Sequence, residues 1–187
     1  MLDIIIAPVS YLRIRHPSKW VVDWLLPLVL CAISTILVAC LAKPGAIAGP
    51  SGLIDRLSLA CSILPGFYIA ALAAIATFNR PDIDEIMPSP TPTLLVAIHG
   101  AEKTLDLTRR RFLAYLFGFL CWESLFLLVY FIFAGVIAAG VMQHLGSLAP
   151  AGRVAFLAVG FLAFWQLICA TCLGLYYLAD RLNRPVY

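Results

Sequence analysis

Four long apolar runs constrain this chain more than anything else in it: Trp20 to Ala42, Leu53 to Phe78, Phe112 to Met142 and Val154 to Ala179. A helix needs roughly 20 apolar residues to cross about 30 Å of hydrocarbon, and each run is long enough. The chain is 63% hydrophobic and only 12% charged, whereas a soluble domain is about one quarter charged. A water-soluble fold of 187 residues cannot hide that much apolar surface, so lipid is the expected solvent for much of it. Lipid offers the backbone no hydrogen bonds, so each run is expected to satisfy its own as a helix. The expected fold is an all-α membrane protein, a four-transmembrane-helix bundle forming a single domain over residues 1–187. The third run is the longest and is expected to tilt or to project beyond the bilayer. The first is too long for the apolar core of a cleavable signal, and no small-residue cleavage site follows it, so it reads as a retained signal anchor.

Orientation follows from the basic residues. Arg13, Arg15 and Lys19 precede the first run, Arg80, Lys103, Arg109, Arg110 and Arg111 separate the second from the third, and Arg181 and Arg184 follow the fourth. The other side holds only Lys43, Arg56 and Arg153, ten against three. The positive-inside rule therefore puts both termini and the middle loop in the cytoplasm, an N-in/C-in topology. The two outer loops are short connectors rich in Gly, Pro, Ala and Ser. Trp20 and Trp24, with Tyr176 and Tyr177, suit an aromatic belt at the inner interface.

The interiors of the runs are not uniformly apolar. Ser58, Ser62, Gly66, Ala70 and Ala74 recur every four residues in the second run. Small residues let helix backbones approach closely where lipid gives no hydrophobic drive. This stripe is expected either to pack inside the bundle or to form a subunit interface. Ala134 to Ala138 and Gly135 to Ala139 repeat the pattern more briefly, and Pro27 and Pro65-Gly66 are expected to kink their helices. Glu123 lies twelve residues beyond Arg111, about 18 Å along a helix and so near the membrane midplane. A carboxylate there is costly and must be paired, protonated or facing water. Gln166 lies at similar depth from the opposite side, so a hydrogen bond between Glu123 and Gln166 is expected to be within reach. Asp23 and the Asp55-Arg56 pair lie near interfaces, where long side chains and chain ends reach water.

Motifs for chemistry are weak. Cys169-Ala-Thr-Cys172 has the spacing of a thiol–disulfide pair, but lies in the inner half of the fourth run with no cysteine in an outer loop to shuttle electrons. It reads as packing, with a thiol–quinone oxidoreductase as the unlikely alternative. Thr108-Arg-Arg-Arg-Phe-Leu113 looks like a twin-arginine export signal placed internally, where Arg109, Arg110 and Arg111 instead anchor the third run at the membrane surface. The similar fragments around Gly118 to Glu123 and Gly160 to Gln166 reflect a composition dominated by Leu, Phe, Gly and Ala. His16, His99 and His144 sit on separate loops without metal-ligand spacing, so no metal and no cofactor is expected. No phosphate-binding glycine loop, serine nucleophile elbow or zinc-protease helix motif is present.

The one sizeable connector is the 79–111 loop, with acids near its start and bases near its end. Pro88, Pro90 and Pro92 favour extended backbone, Leu94 to Ile98 reads as a strand, and Ala101 to Arg111 as a helical lead-in to the third run. The N-terminus, Ile4 to Ile14, is β-branched and reads as extended. It is expected either to pair with Leu94 to Ile98 as a small cytoplasmic cap or to lie in the lipid interface. The functional expectation is a non-enzymatic inner-membrane anchor or effector subunit. It would be homo-oligomeric if the small-residue face meets another copy, and it would engage a cytoplasmic protein partner, not nucleic acid, through the 79–111 loop. The alternative is an ion or proton channel, or a small transporter, using Glu123.

Overall fold

The computed structural model describes residues 7–42, 44–49, 51–77, 83–98 and 101–181. Lys43, Arg80, His99, Arg184 and the Ile4 to Ile6 run lie outside the described residues. A 3₁₀ segment, Ala7–Arg13, leads through a turn into a π-helical stretch, Val21–Leu25, and then α1, Leu26–Leu41. The short α2, Pro44–Ala48, connects to α3, Leu53–Thr77. Strands β1, Thr93–Ile98, and β2, Ala101–Asp106, follow, then α4, Arg109–Leu145, and α5, Ala149–Tyr176. Four helical stretches are long and apolar enough to cross a membrane, as the runs predict.

The chain places α3 against α4, α4 against α5 and α5 against α1, while the Ala7–Arg13 segment packs on α4. The buried face of α4 recurs at spacings of three and four: Leu113, Leu116, Leu120, Leu127, Phe131 and Ala134. Where α4 meets α5, two glycines admit aromatic rings. A Cβ on Gly160 would lie 3.1 Å from rings of Tyr130 and Phe131, and one on Gly174 would lie 3.0 Å from the Phe117 ring. Tyr130 closes the same seam by stacking on Phe156 at 4.6 Å and donating its hydroxyl to the Phe156 carbonyl at 2.8 Å.

The small-residue stripe of α3 does not line this interior. Ser62, Gly66 and Ala70 are exposed, Ser58 and Ala74 are half-buried, and nothing lies within 4 Å of a Cβ built on Gly66. The buried face of α3 is instead Ile54, Cys61, Pro65, Tyr68 and Ile75, larger groups that fill the groove against α4. The expectation of packing within the bundle is therefore corrected.

Two contacts fix the level of the first helix. Cys31 donates its Sγ–H to the Ala158 carbonyl at 3.2 Å, and Gln166 Nε2 donates to the Asp23 carbonyl at 3.1 Å. Residues 21–41 thus run antiparallel to roughly 148–168 of α5, and the last turns of α5 have no α1 beside them. The Ala7–Arg13 segment packs on the start of α4, with the Tyr11 ring stacked on Phe119 at 5.1 Å and 6.4 Å from Phe112.

Two local expectations are corrected at the hairpin end. Ala101–Asp106 is a strand, pairing antiparallel with β1 from Thr93↔Asp106 to Ile98↔Ala101. Its Ala, Glu, Lys and Leu content favours helix, but pairing with β1 overrides that preference. Thr108 then starts α4 as an N-cap, its side chain accepting from the Arg111 N–H at 3.4 Å. Among the described residues the N-terminal segment forms no strand; it touches β1 through the bridge Arg15↔Thr93, with backbone bonds of 2.8 and 3.1 Å.

Candidate functional site

The densest buried polar group is built around Asp23, a residue whose position near a helix start points only to a solvated interface. Its side chain is 2% exposed. Lys19, one helical turn earlier, makes an ion pair with Oδ2, and the Tyr11 hydroxyl donates to Oδ1 at 3.0 Å. Lys19 Nζ also sits 3.9 Å from the centre of the Tyr11 ring, adding a cation–π attraction to the ion pair. Burial first, then the charge of Asp23 and the hydrogen bond to it, push the Tyr11 phenol far above its ordinary range. It therefore stays a donor at neutral pH. Burial pushes the Lys19 ammonium down, against the pull of Asp23.

Gln166 joins this group through the Asp23 backbone rather than through Glu123, so the expected Glu123–Gln166 bond is not what holds α4 to α5. The physical reason is the level of the first helix, which brings the Asp23 carbonyl beside Gln166 first. Glu123 lies beneath at 4% exposure, and its Oε2 has no hydrogen-bond partner among the described residues. Its carboxylate is within electrostatic reach of Asp23, Tyr11, Cys61 and Tyr68. Side chains from the Ala7–Arg13 segment, the start of the first helix and α3 therefore lie around one acid. Nearby, Tyr68 and Thr171 share a 2.7 Å bond. Thr171 gives its own proton to the Leu167 carbonyl, so Tyr68 is the donor between them.

Arg109 and Arg110 do more than anchor. Arg110 grips Asp84 with Nε at 2.7 Å and Nη2 at 3.0 Å, and its Nη1 donates to the Ile75 carbonyl at 2.7 Å. Arg109 approaches Glu85 at 3.6 Å. One fork thus ties the start of α4, the end of α3 and the loop together. Arg111 is exposed. Cys169 is buried and Cys172 exposed, both as free thiols. Among the described residues no group of three His, Cys, Asp or Glu side chains can hold a metal ion.

The hydrogen bond from Arg110 holds the Asp84 carboxyl below its ordinary value. A depressed carboxylate pKa stabilises the folded form above the unfolded value, and the effect is lost as pH falls through the folded one. The grip is therefore complete at neutral pH and opens below about pH 4. Amide-exchange protection of β1 and β2 should fall on acidification through that range. Asp84→Asn should show the lower protection already at neutral pH; wild-type protection in that variant at pH 7 would show that the fork does not order the hairpin.

No family model, curated protein or solved structure matches this chain.

Proposed function

We propose that the protein is a non-enzymatic multi-pass inner-membrane anchor or effector subunit, with both ends in the cytoplasm, that engages a protein partner through the 79–111 loop. The observation that carries this reading is the hairpin and its fastening. A two-stranded hairpin is marginal in water by itself, yet the segment leading into this one is fixed to two membrane-length helices through Arg110, and the hairpin itself to the N-terminal segment through Arg15. Among the described residues the sheet has only two strands, so β2 keeps an open backbone edge. An open edge is a template for an added strand from another chain. The bias of Lys and Arg toward this end supports its cytoplasmic placement. The exposed face of Ser62, Gly66 and Ala70 supports a second copy as an additional neighbour.

Photo-crosslinking in intact cells tests the reading. A photoreactive residue at Lys103 or Thr104, both exposed on β2, should give a discrete protein adduct. The same residue at Ser147, exposed at the far end of the molecule, should not. Identical adducts from both ends, or none from β2, would overturn it.

Glu123 favours a second reading, proton or ion movement, because its Oε2 has no partner and a second carboxylate lies close by. Liposome flux decides this one: equal flux in wild type and Glu123→Gln removes Glu123 from any such path.

A further inference from the structure

We propose that the cleft at the start of the first helix binds the headgroup of an anionic phospholipid, with Arg15 and His16 on its phosphate and Trp20 and Trp24 along its glycerol and upper chains. The cleft has a volume of about 440 Å³, and Arg15, His16, Lys19, Trp20, Asp23 and Trp24 are among its walls. Its charge is unbalanced. Lys19 and Arg15 face a single carboxylate, Asp23, whose two oxygens already accept from Lys19 and Tyr11. Among the described residues that line the cleft, Arg15 is thus the surplus cation. Its side chain is exposed, while its backbone is fixed on both sides by the pairing with Thr93. A guanidinium presents a planar fork that matches phosphate oxygens.

His16 is prepared to help. The Ser18 N–H donates to His16 Nδ1 at 3.2 Å, so the neutral ring carries its proton on Nε2, as a donor. Trp20 and Trp24 are 60% and 39% exposed, and they continue at the same spacing to exposed Leu28. That row lies on one face of the helix. Indoles favour the boundary between headgroup and hydrocarbon. Phosphate-binding groups above and an apolar row below have the polarity of a lipid, not of a free anion. With Asp23 already occupied, the cleft has no spare carboxylate for a choline or ethanolamine cation, so the anionic class is selected.

Tryptophan quenching in the full-length protein tests this, using chain-brominated phosphatidylglycerol and phosphatidylcholine titrated into detergent micelles. Phosphatidylglycerol should reach half-quenching at a concentration about fivefold lower, the advantage of one basic side chain at an anionic surface. Arg15→Gln should abolish that advantage, Arg15→Lys should keep most of it, and Arg153→Gln at the far end should leave it unchanged. Replacing Trp20 and Trp24 by Phe should remove the selective part of the signal and leave the quenching of Trp122 and Trp165. Millimolar inorganic phosphate should not compete. Equal half-quenching by the two lipids, an undiminished advantage in Arg15→Gln, or full competition by phosphate would each overturn the proposal. If Arg15→Gln does not fold, the paired tryptophan variant and phosphate competition still decide it.

Discussion

Asp23→Ala should be the most damaging single substitution in the molecule, lowering stability by about 3–5 kcal/mol. The change leaves the Lys19 ammonium, 8% exposed, without its counter-charge, and leaves the Tyr11 hydroxyl without its acceptor. A buried ion deprived of its partner costs far more than the pair contributes when whole, because both desolvation penalties were set against one attraction. Replacing the pair together, Lys19→Met with Asp23→Leu, should therefore recover the part of the loss that comes from the unpaired ammonium, and leave the part that comes from the Tyr11 hydroxyl. Unfolding in detergent by heat or denaturant measures both. A loss below about 1 kcal/mol for Asp23→Ala would mean that the pair behaves as a solvated surface contact. The double variant separates electrostatics from packing, since Tyr11 still stacks on Phe119 in it.

Glu123→Met should have the opposite sign and stabilise by about 1–3 kcal/mol. Glu123 Oε2 is buried with no hydrogen-bond partner among the described residues, and an unsatisfied buried polar atom carries its full desolvation cost. Methionine is close in length, flexible and apolar, and suits a buried site near Cys61 and Tyr68. The same unfolding assay reads the change. A loss of stability instead would show that the carboxyl group makes a bond holding the helices together. A stabilising Glu123→Met that abolishes a cellular phenotype would mark Glu123 as kept for activity rather than for folding.

How much of this was legible in the sequence differs from site to site. The four helices were, because lipid demands both length and apolarity and few other folds meet that demand. The hairpin was only half legible. Leu94 to Ile98 announces a strand through its branched residues, but Ala101 to Asp106 has the composition of a helix and becomes a strand through pairing alone. The Asp23 group was missed because its third member, Tyr11, arrives from a 3₁₀ segment twelve residues earlier, and no periodicity reports that fold-back. One signal was available: Lys19 and Asp23 stand four apart at the start of an apolar run, the spacing that brings opposite charges together on a helix. The partner of Gln166 depended on where the first helix begins along α5, which counting depth along each run does not report. The outward turn of the Gly66 face was not readable, because a stripe of small residues looks the same whichever side it faces.

The level of that first helix has a consequence for the surrounding lipid. Val21–Leu41, at 21 residues, measures about 31 Å, whereas the 28-residue apolar span Arg109–Val136 of α4 measures about 42 Å. A bilayer wetting this molecule meets two different hydrophobic heights, a low wall on one flank and a tall one on the other. Lipids can match both only by tilting the whole protein or by thinning beside the low wall. A thinner bilayer is expected to fit its low side best.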